Sequence, residues 1–254
     1  MTNRIYYHVY LDDLFSWATI FVDQMTMMEK EDLLKNVDKI KITAITINDI
    51  RADRLKRLCQ TFPVNIELTF IENKYNNDFE MLSDWEHLQK DVVKPLNETL
   101  TISKLYNDCL NEDLNVLYLH AKSVTALSNT LIKYGIASKF KNRHLWRQFM
   151  NWGVIGNWKT CVDSLNSHDT AGIDYRNNPP HYKGNFWWTK SSHVRTLQHP
   201  ENDHWWNELK QNSQDPWIRN VSNRFRSEFW VCSRPNTKSF NIKENDNYYV
   251  DNDI

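Results

Sequence analysis

"NVLYLH", residues 115–120, is the stretch on which the reading of the fold turns. It is a short apolar run closed by a histidine, too brief for a helix of ordinary length, and it reads as a buried strand. Upstream of it the chain alternates between two periodicities. "RIYYHVYL" (4–11) reads as a strand, and residues 17–28 carry apolar side chains at helical spacing. "DKIKITAITI" (38–47) alternates with period two through Ile40, Ile42, Ala44 and Thr46, and residues 49–62 again have a helical period. "VNIELTFI" (64–71) is the third strand, and a long helical region with a break near Pro95 leads into the fourth, residues 115–120. Strands alternating with helices predict an α/β fold with a mainly parallel central sheet of the doubly wound kind, flanked by helices.

Downstream the pattern changes. Leu145, Phe149, Val154, Trp158, Cys161, Val162 and Leu165 keep a helical period that Gly153 and Gly156 interrupt. "GIDYRNNPPHY" (172–182) reads as a loop, since adjacent prolines block a regular helix. Residues 219–231 read as a helix, and the tail "KENDNYYVDNDI" (243–254) is acidic and expected to fray. No internal repeat and no linker rich in Gly, Ser or Pro divides the chain, so residues 1–242 are expected to form one domain.

The length of 254 residues is enough to bury a sizeable core. Lys and Arg number 31 against 32 Asp and Glu, so no bulk charge recruits nucleic acid or an anionic membrane, and ligand charge must be met locally. The Trp count of 11 favours a deep core, a carbohydrate-type pocket, or both. Cys59, Cys109, Cys161 and Cys232 lack CxxC spacing and read as the reduced thiols of a cytoplasmic protein. Asp12 and Asp13 interrupt the N-terminus where a signal peptide would stay apolar, and no apolar run reaches the ~18 residues a membrane span needs. A soluble protein without integral membrane association is expected.

In open parallel sheets, ligands bind beyond the carboxyl ends of the strands, at a reversal of strand order. The fourth strand runs directly into Ala121, Lys122 and Ser123, which sends His120 and Lys122 towards such a place. The plainer alternative is a polar strand end facing water. "YLHAK" (118–122), "LWRQFM" (145–150), "HYKGNFWWTK" (181–190) and "RFRSEFW" (224–230) follow one another in an order that resembles small glycosyltransferase-like proteins of bacteria and large viruses. "IYYHVYL" (5–11) and "ETL" (98–100) share the likeness, which covers nearly the whole chain apart from the acidic tail. Its specificity lies in the Gly-Asn-Phe-Trp-Trp block combined with the other three motifs.

The resemblance implies a glycosyltransferase-A-like (GT-A) fold, with a nucleotide-binding half over residues 1–125 and an acceptor-binding half over residues 126–242. It implies an enzyme that moves a sugar from a nucleotide-sugar donor, UDP-linked by analogy, to a glycan or other hydroxyl acceptor. A non-catalytic carbohydrate- or nucleotide-binding protein on the same fold is the alternative, and a third reading makes the aromatic segment an interaction surface.

Many enzymes of this fold end the fourth strand with Asp-x-Asp, whose carboxylates hold Mg2+ or Mn2+ against the donor diphosphate. Here the stretch is His120-Ala121-Lys122. Lys122 is expected to supply part of the missing positive charge, with His120, Arg147, Arg224 and His181 as further donor-binding candidates. Each arginine could equally form a surface ion pair. Asp12, Asp13, Asp169 and Asp174 leave oxygen ligands open to Mg2+ or Mn2+. Glu228 is the candidate general base, with Asp169 and Asp174 next, and a salt bridge to Arg224 or Arg226 is the competing use of that carboxylate. Gly184 is expected to turn the chain towards the pocket and Asn185 to hydrogen-bond sugar hydroxyls. One of Trp187 and Trp188 is expected to pack on a sugar face while the other is core, since neighbours on a strand point to opposite sides.

Overall fold

A computed structural model describes residues 1–11, 16–46, 49–72, 98–121, 137–221 and 223–242, leaving out the side chains of 16, 137–143 and 224. The alternation upstream of residue 121 is realised. Strands β1 (Thr2–Tyr10), β2 (Ile40–Thr46), β3 (Ile66–Glu72) and β4 (Leu114–His120) run parallel in the order β3-β2-β1-β4. Helices α1 (Ser16–Lys30), α2 (Asp49–Cys59) and α3 (Thr99–Asn111) lie between them in sequence. The expected helical region around Pro95 lies outside the described residues up to 97; α3 begins at Thr99. Because β2 and β3 lie on one side of β1 and β4 on the other, strand order reverses between β1 and β4, which is where doubly wound sheets open a crevice.

The second part of the chain completes the sheet in a different way. Helix α4 (Ala137–Asn151) passes through a π-helical turn (Trp152–Gly156) into α5 (Trp158–Ser164). Then come β5 (Thr170–Gly172), β6 (Tyr175–Asn177), β7 (Pro180–Tyr182), β8 (Trp187–Lys190) and α6 (Ser191–Val194). Helices α7 (Asp203–Asn212), α8 (Pro216–Asn220) and α9 (Arg226–Trp230) precede β9 (Ser239–Asn241). Strands β8, β5 and β9 extend the sheet past β4 to seven strands, and β8 alone runs against its neighbours. The architecture is therefore α/β, with a mostly parallel central sheet flanked by helices.

Two expectations need correction. Residues 172–182 are not a plain loop, since β6 and β7 pair as an antiparallel hairpin with Asn177 opposite Pro180. Proline is tolerated because it is the first residue of a strand in a two-stranded ribbon. Residues 219–231 are not one helix. The chain is extended at Val221 (ψ 144°) and resumes through a short 3-10 turn (Asn223–Phe225) into α9. Tertiary ties decide this: Lys210 Nζ donates to the Val221 carbonyl (3.0 Å) and Trp206 Nε1 to Asn223 Oδ1 (2.8 Å).

Hydrophobic packing covers both faces of the sheet. On one face Ile5, Tyr7, Val9, Ile40, Ile42, Leu117, Leu119 and Trp188 pack beneath α1, α4 and α5. On the other, Tyr6, Val116, Tyr118 and Trp187 pack with Ile102, Leu105, Trp206 and Trp230. The Gly153 backbone lies so close to Ile173 that a Cβ there would meet its side chain at 2.6 Å, and the Val154 carbonyl in the π-helical turn accepts Trp188 Nε1–H at 2.8 Å. All four cysteines are free and buried, and burial pushes the Cys59 and Cys232 thiols up to about 12. Among the described residues no helix is long and apolar enough to cross a membrane.

Candidate functional site

β1 and β4 end side by side. His8 and His120 are register partners, and the Ala121 N–H donates to the His8 carbonyl (3.0 Å), closing the ladder at the strand-order reversal. Both imidazoles lie towards the start of α3, where His8 Nδ1 is 2.9 Å from Thr101 Oγ1 and His120 Nδ1 is 3.5 Å from Glu98 Oε1. Glu98 occupies the N-cap position of α3 without capping it through its side chain. Its Oε2 instead accepts from Asn185 Nδ2 (2.6 Å) and Ser227 Oγ (3.3 Å). His120 Nε2 is 3.0 Å from the Gly184 carbonyl, and Asn185 Oδ1 accepts Trp187 Nε1–H at 2.7 Å.

The turn that delivers Gly184 and Asn185 has a backbone requirement. Asn185 N–H donates to the Tyr182 carbonyl (3.0 Å), and the third residue of this four-residue turn, Gly184, has φ 89°. A Cβ on Gly184 would approach Met150 Sδ to 2.1 Å. Glycine therefore meets both the conformation and the close approach at this turn.

The electrostatics are those of a partly buried acidic cluster. Burial and the neighbouring Glu98 and Glu228 carboxylates raise the Tyr118 phenol well above its ordinary value, and its buried hydroxyl makes no hydrogen bond of ordinary length among the described residues. His8 is pushed down to about 4, first by burial and also by His120, against the pull of Glu98. At neutral pH His8 is therefore uncharged, and its Nδ1 contact to Thr101 is one between neutral groups.

Several expected assignments fail on geometry. Asn185 is wholly buried, with its amide engaged by Glu98 and Trp187, so it positions the site and offers no face to a sugar hydroxyl. Trp187 and Trp188 do point to opposite sides, yet both are completely buried, because helices cover the sheet on both faces. Neither indole is a sugar shelf. Asp169 precedes β5, and β5 runs parallel to β4, so this carboxylate lies at the amino end of the sheet, where its Oδ2 accepts the Lys238 N–H (3.0 Å). Arg147 belongs to the layer over the other face, buried beside Tyr7, Asp23 and His144 (Nη2 to His144 Nδ1, 2.8 Å), and burial lowers its pKa. It is not brought together with the Glu98 cluster.

Asp174 follows the carboxyl end of β5 with φ 55° and pairs with Arg176 Nη2 (2.8 Å). His181 lies on β7, where Nδ1 donates to the Pro179 carbonyl (2.7 Å) and the ring packs on Phe229 (centroids 4.8 Å apart); burial lowers its pKa. Arg226, one expected partner of Glu228, is paired with Asp203. The side chains of Lys122, Arg224, Asp12 and Asp13 lie outside the described residues.

Among the described residues no group of three or more His, Cys, Asp or Glu side chains is arranged to hold a metal ion. Asp169 and Asp174 sit at opposite ends of β5 and do not fit a shared Mg2+ or Mn2+. Glu98 and His8 join this cluster without having been singled out as site candidates by motif reading. The signal for Glu98 was its place in "ETL", and that for His8 its register position at the end of β1.

No curated protein and no solved structure matches the chain. A family model described as a domain of unknown function, DUF8361, matches residues 6–253, and the chain belongs to that family.

Proposed function

We propose that the protein is a glycosyltransferase on a GT-A-like fold, moving a sugar from a nucleotide-sugar donor to a hydroxyl of a glycan or other acceptor. One observation carries the reading. Glu98, His120, Gly184 with Asn185, and Ser227 come from four separated motifs, yet hydrogen bonds and a close carboxylate–imidazole contact join them at the carboxyl end of β4. The strand order β3-β2-β1-β4 supports it, since its reversal is where sheets of this kind bind ligands.

In such a transfer the acceptor oxygen bonds to the anomeric carbon as the bond from that carbon to the diphosphate oxygen breaks. The acceptor proton goes to a carboxylate. Glu98 is already held by two donors, which makes it a poor base, so Glu228, next to the Tyr118 phenol, keeps that role. Lys122 and Arg224 remain the candidates for the diphosphate, with His181 beside them in the proposal.

A thermal-shift screen against UDP, GDP, CDP and dTDP and their sugar conjugates, each with Mn2+ and with EDTA, tests the reading. One nucleotide at a hundredfold excess over its dissociation constant should add ~2.7 kcal/mol of stability. A shift that survives EDTA supports the role given to Lys122, and one that needs Mn2+ keeps the transferase but removes that role. No shift with any nucleotide makes a glycan-binding protein the better reading.

A further inference from the structure

Charge is spread unevenly along this chain. Residues 1–113 hold 20 Asp and Glu against 13 Lys and Arg, whereas residues 114–162 hold seven Lys and Arg and neither Asp nor Glu. Residues 243–254, "KENDNYYVDNDI", carry four carboxylates against one lysine and lie outside the described residues. The balanced total thus conceals a basic and an acidic segment, each short of counter-ions of its own.

The fold delivers the acidic segment to the basic one. β9 runs parallel to β5, so the chain leaves it at the carboxyl end of the sheet, where the Gly184 turn also lies. Ile242 fixes the exit: it is buried, its N–H donates to the Gly172 carbonyl (2.8 Å), and Ile173 next to that carbonyl packs on Gly153 in the turn after α4. Helix α4 contains Lys139, Lys141, Arg143 and Arg147 and no acidic residue. Leu145 on it is 38% exposed, and Phe149 and Trp152 stack beyond it, both partly exposed. On the Gly184 turn, Lys183 holds its ammonium 5.7 Å over the half-buried Trp146 ring. The acidic segment matches this surface twice over, since Tyr248, Tyr249 and Val250 stand between Glu244 with Asp246 and Asp251 with Asp253. Extended, residues 243–254 reach about 40 Å. β8, whose Trp188 bonds to the turn after α4, is two strand spacings from β9, about 10 Å.

We infer that residues 243–254 fold back as an acidic strap across the Gly184 turn and along α4, with carboxylates on Lys183 and the basic residues of the helix and Tyr248–Val250 against Leu145, Phe149 and Trp152. Surface ion pairs are individually weak, but a short tether holds the strap at a local concentration of about a millimolar, where several weak contacts suffice. The net negative charge of residues 1–113 repels it from the other half of the molecule. The strap stands apart from the transferase reading; as a regulator it rests on that reading, since an anionic donor must then displace it.

Carbodiimide coupling of the full chain, which joins a carboxylate to an amine only where they touch, tests the strap without any activity. The expected product is a monomer in which Glu244, Asp246, Asp251 or Asp253 is linked to Lys139, Lys141 or Lys183. Its yield should fall at least about fivefold in ~1 M salt, where the Debye length is about 3 Å. Links confined to lysines of residues 1–113, links only between chains, or no links from these four residues would overturn the inference. A second readout needs no coupling. The full chain carrying E244Q, D246N, D251N and D253N keeps its core, and its amide resonances at residues 144–152 and 183–184 should move relative to the unaltered chain; unmoved resonances there would also overturn the strap. In the thermal-shift screen this variant should bind a nucleotide more tightly than the unaltered chain, and equal binding would remove the regulatory role. Binding by neither counts against the transferase reading and takes the regulatory role with it, while the coupling result stands by itself.

Discussion

The two parts of the sheet are held together differently. Strands β1, β2, β3 and β4 have nine, seven, seven and seven residues and pair along almost their whole length, with aliphatic side chains such as Ile5, Ile40, Ile42 and Leu117 between sheet and helices. Strands β5, β8 and β9 have three, four and three residues. Few ladder hydrogen bonds are available there, and indoles supply the ties. Trp187 donates to Asn185, Trp188 to the Val154 carbonyl, Trp206 to Asn223 and Trp230 to the Gln198 carbonyl, over 2.7 to 2.9 Å. An indole brings a large apolar area and one donor, so a single residue fills the core and fastens a loop to it. Where ladders are long, the ladders themselves supply most of the ties.

Trp188→Ala tests that contrast most strongly. It should cost about 3–5 kcal/mol in denaturant unfolding, against about 0.5–1.5 for Ile42→Val in the parallel part. Equal losses would erase the distinction. Trp188→Phe separates the two contributions, since it keeps most of the area while leaving the Val154 carbonyl without its donor.

Acid should have the next largest effect. Unfolded His8 binds a proton near 6.5 and folded His8 only near about 4, so stability falls as pH drops through that window. The slope is about 1.4 kcal/mol per pH unit for one group, or about 3 kcal/mol over the whole window. His181 and His193, in the second part, are also lowered by burial and add to the same loss. A His8→Asn protein that stays folded should lose only the first share, and an unchanged acid profile would remove His8 from the account.

Gly184→Ala should cost about 1–3 kcal/mol, because alanine must adopt φ 89° and displace the Met150 sulfur. A neutral result in thermal unfolding would mean that the turn adapts and does not set the positions of Asn185 and His120.

The contrast also explains how much could be read from the sequence. In the parallel part, apolar periodicity is long enough to separate strand from helix, and the end of "NVLYLH" pointed to His120 at the strand-order reversal. In the second part a three-residue strand has no readable period. The direction of β5 was therefore invisible, and with it the fact that Asp169 and Asp174 lie at opposite ends of the sheet. Alternation correctly sent Trp187 and Trp188 to opposite sides, but sequence alone did not say that both sides are covered. Glu98 was legible only as part of a likeness, since its role comes from contacts with Asn185 and Ser227, far away in the chain.

The π-helical turn between α4 and α5 carries a consequence for chain length. Five residues, Trp152–Gly156, hold one more residue than an α-helical turn would, and the Val154 carbonyl within them receives the Trp188 indole. An i→i+5 turn takes up one residue more than an i→i+4 turn over nearly the same rotation, whereas a deletion in a plain α-helix turns one flank against the other by about 100°. Deleting one residue within Trp152–Gly156 should therefore leave Met150 near its place behind Gly184 and be felt first at Trp188, whose indole depends on the Val154 carbonyl. The turn is thus the point between α4 and α5 where a change of one residue in chain length is best absorbed.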